Sequence, residues 1–160
     1  MSLRLPVRGA TSPNGTLYPP FAINLDLVKH ALVDREGWTP TVAAMGIQQY
    51  RRFLQLYASI GVAQPSLLVD TVWHWHLLHT RQYSADGQHM FGHYLHHNPL
   101  SFDKSHEAGR QRLETSYANV LSAYEEVFCE SPPEPWWPAL HKVVMQSSGC
   151  SQGQGNCRGE

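Results

Sequence analysis

Seven of the ten histidines in this 160-residue chain fall between positions 74 and 97: His74, His76, His79, His89, His93, His96 and His97. Neutral imidazole is the commonest protein metal ligand, and an aspartate adds charge and a hard oxygen to such a set. The dense part runs Asp70-Thr-Val-Trp73-His74-Trp75-His76-Leu-Leu-His79, and after a gap comes Gly92-His93-Tyr94-Leu95-His96-His97-Asn98-Pro99. On a helix, residues i and i+4 share a face, so Asp70 and His74 can meet one ion, as the two histidines of H-E-x-x-H do. His74 and His76 are two apart, which separates them by roughly 160° around the axis. They cannot both serve one ion unless the helix is broken between them, so His76 should project away from the Asp70/His74 pair, on the flank it shares with His79 near Tyr83. The pool of candidate ligands is thus Asp70, His74, His76, His96 and His97, and the economical set is Asp70 and His74 with His96 or His97 delivered by the following loop. Two nitrogens and one oxygen with open positions suit catalytic Zn²⁺ or a non-haem Fe(II) triad. A buried Asp–His hydrogen bond that locks two elements together explains Asp70 and His74 without a metal.

The elements that must hold these residues are helical. Asn24 reads as the cap of a first helix over 24–34, with Leu25, Val28 and Leu32 at helical spacing and Gly37 as its stop. Thr39-Pro40 reads as a hydroxyl cap followed by proline at the first helical position. From there Ala43, Ile47, Tyr50, Leu54 and Tyr57 recur at spacings of four and three, which predicts an amphipathic helix over 39–60 that Gly61 ends. Pro65-Ser66 opens a third helix, 66–85, which carries the site and fades at Ser84-Ala85-Asp86-Gly87. Leu113, Tyr117, Val120, Leu121, Tyr124, Val127 and Phe128 line a fourth, 105–130, stopped by Ser131-Pro132-Pro133. No segment alternates with period two. The expected fold is all-α: a compact bundle of about four helices, with the domain at 21–145, an extended or disordered lead at 1–20 and a flexible Gly/Ser/Gln/Cys tail at 146–160. Trp136 and Trp137 are too apolar for a linker and should fold back onto the bundle, at least one of them buried.

Composition removes several classes of function. The formal net charge is −1, from 12 Lys+Arg against 13 Asp+Glu, so the basic footprint of a nucleic-acid binder is absent. No apolar run is long enough to span a bilayer, and the first residues hold no apolar signal core. Cys129, Cys150 and Cys157 are too few for a disulfide framework, and together these features point to a soluble cytoplasmic protein. There is no G-x-G-x-x-G, G-x-x-x-x-G-K-[ST] or G-x-S-x-G, so dinucleotide, P-loop and α/β-hydrolase chemistry have no support.

Asp70-x-x-Trp73-His74-x-His76-Leu77-Leu78-x-Thr80-Arg81-x-Tyr83, followed by Leu95-His96-His97-x-Pro99, resembles the glycine-rich domain-containing protein-like family, in its small bacterial form. Gly37-Trp38 and Tyr50-Arg51-Arg52-Phe53-Leu54-x-Leu56 upstream continue the resemblance, as do Tyr117-x-x-Val120-x-x-Tyr124-x-x-x-Phe128 and Pro132-Pro133-x-x-Trp136-Trp137-Pro138 downstream. Members of that family tend to carry a cysteine shortly after the tyrosine of the W-H-x-H helix, where Asp86-Gly87 stands here, and a longer glycine and cysteine tail. The resemblance implies that Asp70, Trp73, His74, His76, His96 and His97 belong to a recurring pattern, and it implies no particular reaction.

The expected function is a metal-binding helical domain with a His/Asp site, a hydrolase or oxidase of unknown substrate using Zn or Fe, with Tyr83 or His76 handling protons. The alternative is a non-catalytic interaction or scaffold module in which the His/Trp cluster is structural. The partner would be a small molecule or a protein.

Overall fold

A computed structural model describes residues 22–61, 64–97 and 107–147. The expected lead at 1–20 and positions 148–160 of the expected tail at 146–160 lie outside the described residues, whereas Gln146 and Ser147 belong to the last helix instead. The architecture is all-α, with six helices and no strand among the described residues: α1 (Asp26–Asp34), α2 (Pro40–Ile60), α3 (Leu67–Leu78), α4 (Thr80–Phe91), α5 (Glu107–Phe128) and α6 (Leu140–Ser147). No helix is long and apolar enough to cross a membrane, again among the described residues.

Local signals set the ends of the elements nearest the site. Thr39 Oγ1 accepts from the Val42 N–H at 3.3 Å, with Pro40 at the first helical position. At the other end Gly61, at φ 76°, returns its N–H to the Tyr57 carbonyl. Only a residue without Cβ takes that left-handed turn cheaply. Ser66 Oγ caps α3 by accepting from the Val69 N–H at 3.2 Å.

The third expected helix is instead two, and the break has a visible cause. The His79 imidazole bonds the Trp75 carbonyl at 2.7 Å, occupying the acceptor that the His79 main chain would use in a continuing helix. The His79 N–H goes to the His76 carbonyl instead, at 3.0 Å, and the backbone turns at φ −85°, ψ 58°. α4 then runs through Ser84-Ala85-Asp86-Gly87 to Phe91, where Gly92 at φ 73° closes it. Gly87 sits inside α4 because the chain returning after the helix passes over it: a Cβ there would stand 3.2 Å from the His93 carbonyl oxygen. Packing, not turn formation, explains that glycine.

α2 is the centre of the bundle and packs against α1, α3 and α5. It buries Ala43, Ile47, Tyr50, Phe53, Leu54 and Leu56 in one core with Val28, Leu32, Val69, Val72, Tyr117, Val120 and Tyr124. Trp136 and Trp137 both close over this core, 3% and 1% exposed. Trp137 Nε1 donates to the buried Gln49 Oε1 at 2.9 Å, and Trp136 meets Trp38 edge to face over Gly46.

Candidate metal centre

Asp70 stands in the first turn of α3 and His74 one turn later. The His74 Nδ1–H points at the Asp70 main-chain carbonyl, 2.9 Å away, and at Asp70 Oδ2, 3.2 Å away. That commits Nδ1 as the protonated nitrogen and leaves Nε2 with its lone pair. The loop after α4 brings His97 to the other carboxylate oxygen, with Nε2 at 2.8 Å from Asp70 Oδ1. The two imidazoles lie with ring centroids 4.6 Å apart, and one ligand atom from each of Asp70, His74 and His97 falls within 4.8 Å of the others. The His97 side chain is 10% exposed, Asp70 26% and His74 54%, so the cluster opens to solvent on the His74 side.

His76 and His96 are not part of this cluster. His76 is fully buried on the opposite side of α3, where its Nε2–H donates to Asp86 Oδ2 at 3.1 Å and its Nδ1 accepts from the Tyr50 hydroxyl at 2.9 Å. Burial, with smaller contributions from Tyr83 and Asp86, pushes the Tyr50 phenol well above its ordinary range. His96 is exposed and rests on the Tyr94 ring, centroids 4.9 Å apart. His93 lies beside Phe91, and His79 is tied to the Trp75 carbonyl.

Tyr83 has no proton to offer. Its hydroxyl donates to the Leu95 carbonyl at 2.6 Å and accepts from Trp73 Nε1 at 2.9 Å, and burial raises its pKa to about 12. Spacing alone does not single out Tyr50 and Asp86. Tyr50 reads as one more member of the α2 core stripe, and Asp86 as part of a turn that does not form. The expected burial of the Asp70/His74 face is reversed: α3 buries Val69, Val72, Trp73 and His76 and leaves Leu67 and His74 exposed, and a buried imidazole requires a partner for each nitrogen.

A model of the UCP032817-like family matches residues 27–128. The chain belongs to that family. This corrects the resemblance to glycine-rich domain-containing proteins: the W-H-x-H and H-H-x-P elements lie inside the UCP032817-like match. Asp70, His74, His76, His96 and His97 all fall within the UCP032817-like region, whereas Trp136 and Trp137 lie beyond it. No curated protein and no solved structure matches the chain.

Proposed function

We propose that this UCP032817-like chain binds a divalent transition-metal ion through Asp70, His74 and His97, with His76 and His96 outside the coordination sphere. The observation that carries this reading is the convergence of one carboxylate oxygen and two imidazole nitrogens within 4.8 Å, from two elements. The donor set fits Zn²⁺ or Fe(II): borderline nitrogens and one hard oxygen, three in number, with room for water or substrate on the solvent side. A bound ion would supply Lewis-acid polarisation or a lowered water pKa, for hydrolysis or oxidation. The chain's own part is to orient the donors: the Asp70 carbonyl fixes the His74 tautomer, and the Trp73 ring, at 4.3 Å between centroids and inclined at 63°, fixes the His97 plane. We take 21–145 as the single unit that presents the site.

The second reading, a non-catalytic interaction or scaffold module, is favoured by a different observation. Asp70 already accepts from both imidazoles, so the cluster is satisfied as a hydrogen-bonded joint between α3 and the loop. Metal analysis of untagged protein, purified without an immobilised-metal column, separates the two. Stoichiometric metal that disappears in His74→Ala and survives in His89→Ala supports the centre. Metal content unchanged by both His74→Ala and a His96/His97 double substitution ends it.

A further inference from the structure

His97 reaches Asp70 from a short irregular segment, Gly92 to His97, that has no helix to hold it. Its fixed point is the Leu95 carbonyl, two residues earlier. The Tyr83 hydroxyl, projecting from α4, donates to that carbonyl at 2.6 Å and accepts from the Trp73 indole N–H of α3 at 2.9 Å. Tyr83, Trp73 and Leu95 are all buried, so each end of this chain of hydrogen bonds is inaccessible to water as a substitute. Trp73 serves twice, since its ring also packs against His97. Along this segment Leu95 is buried, His96 exposed and His97 half-buried, so the fixed Leu95 lies between an outward-facing stretch and the His97 that meets Asp70. Gly87 supports the same path from below, where a Cβ would stand 3.2 Å from the His93 oxygen and 3.5 Å from the Leu95 nitrogen.

We propose that Trp73 and Tyr83 are positioning residues for the metal centre: the relay from the Trp73 N–H through the Tyr83 hydroxyl to the Leu95 carbonyl sets the loop so that His97, and not His96, meets Asp70. Its consequence for affinity rests on the metal reading above, while its geometry concerns the metal-free chain. Removing the Tyr83 hydroxyl leaves an indole N–H and a carbonyl buried without partners, and the loop relaxes to re-satisfy them. Partners that orient a ligand from behind typically change metal affinity by about 10–100-fold.

The test uses the full chain with Tyr83→Phe, and Trp73→Phe as a second variant. Two readouts apply: the His97 Nε2–H proton resonance in metal-free protein, and Co²⁺ titration followed by its visible absorption. Expected for Tyr83→Phe are retained helicity and cooperative melting, loss or a large shift of the His97 resonance, and Co²⁺ binding weakened about 10–100-fold with an altered spectrum. A merely structural role would lower the melting temperature and leave the His97 resonance and the Co²⁺ spectrum unchanged, and that result overturns the proposal. If Tyr83→Phe does not fold, Trp73→Phe, which deletes the indole donor at the other end of the relay, decides by the same criteria. A parent chain that takes up no Co²⁺ removes the metal reading by itself, and the His97 resonance of the metal-free variants still decides the positioning claim.

Discussion

His74 and His76 are separated by one residue on one helix and have opposite surroundings. His74 faces solvent with one nitrogen committed to its own helix, and His76 has both nitrogens bonded inside the core, to Tyr50 and Asp86. Their alanine variants should therefore fail differently. His76→Ala strands a buried phenol and a nearly buried carboxylate and should destabilise the fold by about 3 kcal/mol, visible in urea titration. Tyr50→Phe leaves only the His76 Nδ1 unpaired and should cost about 1–3 kcal/mol. His74→Ala, on an exposed face, should change stability by less than about 1 kcal/mol in metal-free protein while abolishing metal uptake. The Asp70/His74 pairing and the divergence of His76 follow from helical periodicity alone. The choice between His96 and His97 does not, because it depends on a hydrogen bond from Tyr83 to a carbonyl that no side-chain pattern encodes.

Helices announce themselves in this chain where a cap or a glycine makes the end a local matter. Thr39-Pro40 and Gly61 bound α2 as expected, and Ser66 opens α3. The division between α3 and α4 is harder to read, since the His79 imidazole competes for the Trp75 carbonyl only once the ring has turned back. α6 is eight residues long and packs through Leu140 and Val143, too short a stripe to stand out from the polar tail that follows. The segment between α5 and α6 matters more than its length suggests. Trp137 fills the core and is bonded to Gln49, so Trp137→Ala should lower stability by about 3–5 kcal/mol in chemical denaturation. Gly46→Ala is a test from the other side. Its Cβ would come 2.8 Å from the Trp38 ring and 3.0 Å from Trp136, and overpacking of this kind costs about 1–3 kcal/mol.

At the scale of the molecule, α2 packs against α1, α3 and α5, and its buried Gln49 and Tyr50 bond to groups from other elements: Gln49 to Tyr124 and Trp137, Tyr50 to His76. Burial raises the pKa of Tyr83 to about 12 and holds Tyr50 and Tyr117 well above the ordinary value of 10.0 as well. Below pH 10 these phenols are neutral in both folded and unfolded chains, so their stabilisation is complete. Above it the unfolded chain releases protons that the folded one keeps, and stability falls by about 1.4 kcal/mol per pH unit for each tyrosine until its folded pKa is passed. Urea titrations between pH 8 and 11.5 should show a plateau and then a steep loss, with a shallower slope in Tyr83→Phe. The bond between Gln49 and Trp137 joins residues 88 apart in sequence, whereas Asp70, His74 and His97 all lie within a span of 27. During synthesis the residues of the centre therefore leave the ribosome together, some 40 residues before the tryptophan that seals the core around α2. Metal supplied during synthesis would therefore meet all three candidate ligands outside the ribosome before the residue that closes the core has been added.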